Sequence, residues 1–332
     1  MDRGLDYTAN RSIADFTIMF NKLFNRTGLS LDRLRRFLEF ADAGSISKAA
    51  PDDVNLQSQI SRQIAELEEF FETELTVRRG KTLALSPAGR RLSNLIREQF
   101  QDLHDFQLEQ SQQSKSFSIG AGGSILEWLV IPAIADIREL LGNATLHLSS
   151  RRSGELIEDV RDGKLDFAVV REDAIPKGLP SVPLVVVKFI LCASRKLLGN
   201  KPASSLDDPS LWKKLPFAAN AGGGQLDRTF RKAMVDACGS FQPVIECDSL
   251  LQIRELVVQG SCAGLLAHIG TNGLAERGVV LREFGPLKTY GRALSLHWNE
   301  RQMRRRGVEK DTVKIQLRKV LSGRTIARNQ SA

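Results

Sequence analysis

The residues with the clearest chemistry lie between Gln57 and Arg62. Gln57 and Gln59 carry amides, Ser58 and Ser61 carry hydroxyls, and Arg62 carries a forked guanidinium. An amide can pair bidentately with adenine, a guanidinium with guanine or a phosphate, and a hydroxyl with base or backbone. The set therefore suits a helix that reads base edges in a major groove. The plainer alternative is a polar face that meets only water.

A helix must present these groups, and the apolar spacing supplies one. Ile60, Ile64, Leu67, Phe70 and Phe71 recur with a helical period, so the run Gln57 to Phe71 buries one stripe and turns Gln57, Ser58, Ser61 and Arg62 elsewhere. Glu66, Glu68, Glu69, Glu72 and Glu74 follow, and such a run cannot lie against phosphates without repulsion. Only the first half of the helix can then enter a groove.

Upstream, Leu31, Leu34, Phe37, Leu38 and Ala41 predict a first helix closed by Gly44. Ser45 caps a short second helix through Ala50, and Pro51-Asp52-Asp53 ends it. A polar turn with Asn55 as the cap leads into the third helix, which makes a helix-turn-helix. Leu75 to Leu85 reads as two short strands about Gly80, a wing tipped by Arg78, Arg79 and Lys81. These three cations suit phosphates and contribute affinity rather than sequence choice.

Ser86-Pro87 is a cap followed by proline at the first helical position. The long helix that follows, to about Gln113, holds Leu92, Leu95, Ile96, Phe100, Leu103 and Phe106 in a stripe with no partner nearby in sequence. Such a stripe is expected to meet a second copy of itself. From Ser116 strands and helices alternate, which predicts two similar βαβ units on mostly parallel sheets. Pro183 to Ser194 is the expected crossover, and Val279 to Phe284 the expected return to the first unit. Ala293 to Trp298 then adds a strand to that unit, Val313 to Leu321 forms a last helix, and the tail from Ser322 frays. Residues 1–29 carry one amphipathic helix from about Ser12 to Phe24.

Several function classes are disfavoured. The chain carries 47 Lys and Arg against 39 Asp and Glu, a net charge of +8, which would suit a polyanion. Yet Leu31 to Lys115 holds 12 basic and 14 acidic residues, so net charge says little about DNA. Cys192, Cys238, Cys247 and Cys262 form no metal-ligand spacing. Reduced buried thiols are the simplest reading, with a Cys238–Cys247 redox pair as the alternative. No apolar run reaches membrane-spanning length and the start lacks a secretory pattern, so a cytoplasmic location is expected. Gly120 to Ile125 lacks the third glycine of a dinucleotide fingerprint, and no P-loop, HExxH or GxSxG occurs, so neither enzyme nor cofactor nor metal is expected.

In order and spacing, Phe37, Gly44-Ser45, Ala49-Ala50, Gln57, Ser61-Arg62-Gln63-Ile64, Leu67-Glu68, Leu75 and Leu85-Ser86-Pro87-Ala88-Gly89 resemble the LysR-type transcriptional regulators. The likeness extends over about residues 30–321. Leu56-Gln57-Ser58 stands where many members have Ser-Gln-Pro, and Pro51-Asp52-Asp53 replaces a partly apolar turn. The resemblance implies an α+β multidomain fold: a winged helix-turn-helix over 30–87, a dimerising linker helix and hinge over 88–115, and an effector-binding domain over 116–321. That last domain would hold two Rossmann-like subdomains, periplasmic-binding-protein-like, at about 116–183 with 285–321 and at 184–284, before a flexible tail over 322–332.

Double-stranded DNA, a small effector and a second or fourth copy of the chain are then the implied partners, with RNA polymerase as a further candidate. The family's DNA contacts fall on Gln57, Ser61 and Arg62. Its effector crevice lies between the subdomains, at strand C-termini, where Ser124, Ser149, Asn220 and Gly222 are the candidates. The Gly-rich turns and neighbouring arginines suit an anion. A solute sensor that no longer binds DNA is the second reading.

Overall fold

The computed structural model describes residues 20, 21, 23, 26–80, 82–221 and 223–329. The helix expected from Ser12 to Phe24 thus falls, apart from three positions, outside the described residues. Lys81, Gly222 and the side chain of Arg79 also lie outside them. The chain forms two compact units, divided between His104 and Asp105.

The first unit contains α1 (Leu31–Ala43), α2 (Ile46–Ala49), α3 (Val54–Phe71), β1 (Thr76–Arg79), β2 (Thr82–Leu85) and the start of α4 (Pro87–Gln110). Each of the first two helices begins on a side chain that satisfies a free backbone N–H group: Ser30 Oγ accepts from Arg33 N, and Ser45 Oγ accepts from Lys48 N. Gly44, at φ +74°, lets its own N–H reach Phe40 O and close α1. Phe37, Phe40, Ile60, Ile64, Leu67, Leu75 and Ile96 form one buried core.

The third helix starts at Val54, three residues before the expected Gln57, and its cap is Asp53 rather than Asn55. The Asp53 carboxylate accepts from Leu56 N at 2.9 Å, where the positive end of the helix dipole favours an anion. Asp52 makes the preceding turn possible by taking φ +61°. β1 and β2 pair antiparallel from Thr76 opposite Leu85 to Arg79 opposite Thr82, and Gly80 turns the hairpin at φ +63°.

The second unit opens, after the end of α4, with β3 (Ser116–Ala121) and a helical run over 123–140. That run is not one continuous α-helix. It comprises α5 (Gly123–Ile125), a π turn (Leu126–Val130), a 3-10 turn (Ile131–Ala133) and α6 (Ile134–Leu140). Pro132, which has no N–H to give, sits at the change of winding. β4 (Thr145–Ser150), α7 (Ser153–Arg161), β5 (Phe167–Arg171) and β6 (Ser181–Val187) follow.

β7 (Phe189–Ser194) begins the second sheet, with α8 (Arg195–Leu198), α9 (Pro209–Trp212), β8 (Phe217–Asn220), α10 (Gln225–Cys238), β9 (Ile245–Cys247), α11 (Leu250–Gln259), β10 (Ala263–Ala267) and β11 (Val279–Glu283). β12 (Arg292–Trp298), α12 (Glu300–Arg305), a π turn (Thr312–Leu317) and α13 (Arg318–Asn329) complete the described chain.

The sheets run β4-β3-β5-β12-β6 and β11-β7-β10-β8-β9. Both are mixed rather than mostly parallel: β12 is antiparallel to β5 and β6, and β7 to β10 and β11. The first sheet keeps the chain through Val187, past the expected crossing at 184. Val279–Glu283 stays in the second sheet as an edge strand against β7, so it does not carry the chain back. The return comes after it, into β12. α13 runs on past Ser322 as far as Asn329.

Candidate nucleic-acid interface and effector crevice

Along α3 the buried positions are Ile60, Ile64, Leu67 and Phe70, which leaves Val54, Asn55, Ser58, Gln59, Ser61 and Arg62 among those turned outward. The sequence-predicted readers are therefore not equivalent. Gln59, Ser61 and Arg62 face solvent; the Ser58 hydroxyl donates to Val54 O at 2.9 Å. Gln57 is half-buried, and its Nε2 donates to Ala50 O at 2.8 Å, tying the helix to the end of α2. Arg78 stands on the wing, in β1.

The acidic half of α3 is occupied by the fold itself. Glu66 Oε2 is 2.5 Å from Arg33 Nε. Glu68 Oε1 accepts from Leu75 N, Thr76 N and Thr76 Oγ1 at 2.8–2.9 Å, which fastens the wing to the helix. Glu72 takes the left-handed cap position at φ +52° and pairs with Arg26 at 2.7 Å. These carboxylates hold the helix in place from behind, so the polar front half is its free face.

On α4 the expected stripe divides: Leu92, Ile96 and Phe100 pack into the core of the first unit, whereas Leu95, Leu103 and Phe106 are 47%, 58% and 60% exposed. Burying side chains of this size is worth about 1.5–3 kcal/mol each.

In the second unit, β4, β3 and β5 are adjacent and parallel, so their C-terminal ends lie side by side. Ser149 is near the end of β4, and Ser124 follows the end of β3 through Gly122-Gly123. Gly123 fits closely there: a Cβ would stand 3.3 Å from Ser150 Oγ. Asn220 ends β8 in the other sheet and lines a void of about 10 Å³ under α10, no larger than one water.

Sequence reasoning missed the pair that joins the two sides. Arg171, the last residue of β5, donates from Nη1 to Gln225 Oε1 at 2.7 Å, and Gln225 opens α10. A basic residue closing a strand and an amide opening a helix after three glycines were the available signals. Around this junction, Arg152 precedes α7 and Arg228 Nη1 donates to Gly223 O at 2.6 Å. Arg151 is instead drawn to Asp159 at 2.6 Å.

The cysteines are free and buried. Burial pushes the Cys192, Cys247 and Cys262 thiols up, away from the reactive thiolate. Cys238 and Cys247 are both free and belong to different core clusters, which accords with the reading of reduced buried thiols rather than with the alternative of a redox pair. Among the described residues no His, Cys, Asp and Glu group could hold a metal ion, and no helix is long and apolar enough to cross a membrane.

A helix-turn-helix with a wing, continued by a long helix into a two-sheet α/β domain, defines a ligand-responsive DNA-binding transcriptional regulator. The bacterial regulatory helix-turn-helix protein, lysR family, matches residues 31–90, and the LysR substrate binding domain matches residues 110–310. The chain belongs to the LysR family of transcriptional regulators.

It is 26% identical over 230 residues to the HTH-type transcriptional regulator TdcA of Escherichia coli (strain K12), covering 67% of this chain and 72% of TdcA. It is 28% identical over 259 residues to BbuR of Bordetella bronchiseptica, covering 75% and 76%. The fold is shared with a full-length, singly substituted OxyR from Pseudomonas aeruginosa, at TM-score 0.58, 19% identity and 88% and 96% coverage. It is likewise shared with full-length LysG from Corynebacterium glutamicum with bound effector Arg, at TM-score 0.54, 19% identity and 90% and 99% coverage.

Proposed function

We propose that this regulator reads a pseudo-palindromic operator with the first half of α3, as a dimer or a pair of dimers joined through α4. Gln59, Ser61 and Arg62 carry base and backbone contacts, and Arg78, with Arg79 and Lys81, holds phosphates beside the wing. The observation that carries this reading is the division of α3 into an exposed polar front and a carboxylate-rich back bound within its own unit. The exposed Leu95, Leu103 and Phe106 support pairing through α4.

Replacing Arg62 with alanine is expected to cost about 1–3 kcal/mol at a cognate operator and much less on random duplex. Fluorescence anisotropy on both duplexes across a salt series checks this. Equal loss on the two would reduce Arg62 to a phosphate contact, and no loss on either would favour the sensor that does not bind DNA.

The effector we infer is a small anion held between Ser124, Ser149 and the start of α10, with Asn220 and Gly222 on the second side. Arg152, Arg171 and Arg228 support that charge preference, because guanidiniums pair well with carboxylate and phosphate. Occupancy would alter the Arg171–Gln225 junction and, through it, the relation between paired dimers and the bend of their DNA. Calorimetry of the full chain with small carboxylates, inorganic phosphate and neutral analogues is expected to show binding of anions, weakened by Arg171→Ala. Binding of neutral ligands alone would contradict it.

A further inference from the structure

Val54 and Asn55 open α3 ahead of every residue that the amide-rich stretch singles out. Val54 is 73% exposed. One exposed valine is ordinary on a protein surface, but this one occupies the first turn of the recognition helix, four residues before Ser58. Asn55, also exposed, lies three residues before Ser58 and four before Gln59. Residues at these spacings share a helix face, so Val54, Asn55, Ser58, Gln59 and Arg62 form one continuous strip.

Two neighbours that could compete for the groove also bond within their own unit. The Asp53 carboxylate accepts from Leu56 N, which turns its charge toward its own helix. Gln57 spends an N–H donor on Ala50 O. A bidentate pairing with adenine needs the amide's donor and acceptor presented together to one base edge. The second N–H of that amide and its Oε1 remain for such a pairing, with the side chain held against the end of α2 by the first.

We propose that Val54 and Asn55 are base-reading residues of this regulator. Val54 would pack its methyls on the 5-methyl group of thymine, the one apolar group that a base pair shows in the major groove. Asn55 would pair its amide with N6 and N7 of adenine. This rests on the placement of α3 in the groove given above.

The test uses the full chain and a pool of randomised duplexes. Wild type is expected to select a motif with thymine and adenine at fixed positions in each half-site. Replacing that thymine by uracil removes only the methyl group and should weaken wild type about fourfold, the worth of one buried methyl, while Val54→Ala is indifferent to the exchange. Replacing the adenine by 7-deazaadenine should weaken wild type on the order of tenfold and leave Asn55→Ala unaffected.

The inference is overturned if the Val54 and Asn55 variants keep the wild-type sensitivity to the modified bases. Failure of wild type to select any motif would overturn the groove placement as well, so the two failures are distinguishable.

Discussion

Replacing Arg306 with alanine is expected to destabilise the effector domain by about 3–5 kcal/mol, the usual cost of leaving buried charge without its partner. The Arg306 side chain is 2% exposed. Its Nε lies 2.9 Å from Asp105 Oδ2 and its Nη1 2.7 Å from Asp166 Oδ1, while Nη2 donates to Ser116 O. The guanidinium also stands 4.1 Å from the centroid of the Phe117 ring.

Asp166 is the hub of this cluster, since it also accepts from Ser118 N, Ser118 Oγ and Gln302 Nε2 at 2.7–2.9 Å. Loss of the guanidinium would take the cation away from two carboxylates, those of Asp105 and Asp166, in residues that are 5% and 3% exposed. Arg306→Lys restores the charge but not the planar fork, so it should recover only part of the loss. Urea denaturation of the full chain measures both. Midpoints equal to wild type would show that the cluster does not hold the last turns of α4 to β3 and β5.

Gly89→Ala should destabilise the winged domain by about 2 kcal/mol even though alanine is the better helix former. Alanine gains about 1 kcal/mol over glycine inside a helix. A Cβ at Gly89, however, would stand 2.0 Å from Leu75 O and 2.9 Å from Leu75 C. That carbonyl already accepts from Ser86 N at 3.0 Å, and Ser86 Oγ accepts from Gly89 N and donates to Glu74 O.

The obstacle is thus hydrogen-bonded backbone rather than the end of a flexible chain. Overpacking of this sort costs about 1–3 kcal/mol, and toward the upper end or beyond where backbone must move, so the clash outweighs the propensity. Hydrogen exchange over 75–89 should rise, and DNA affinity should fall as the wing shifts. A variant as stable as wild type would mean that α4 and the wing separate at little cost.

The helix-turn-helix was legible because each of its signals is local. Ser45, Gly44 and Ser86-Pro87 mark helix ends through bonds made within a few residues, and the buried stripe of α3 follows its period. The start of α3 was not legible, because Asp53 and Asn55 are both good caps and only the turn at Asp52 decides between them.

Strand direction was harder. Val279–Glu283 looks the same in sequence whether it pairs with β7 or with the first sheet, and pairing is a long-range choice. The effector side was readable only as glycine-rich loops at strand ends. Arg171 and Gln225 are 54 residues apart and meet only when both sheets are built. Arg306, likewise, is one of three successive arginines, and nothing local says which of them is buried.

The central claim, that the front of α3 selects DNA by sequence, is tested most directly by recovering genomic fragments bound by the full chain and by its Arg62→Ala variant at matched salt. The account predicts a discrete set of fragments sharing an inverted repeat for wild type, and loss of that set with residual nonspecific binding for the variant. Recovery of the same set by both proteins, or of no discrete set by wild type, would contradict it.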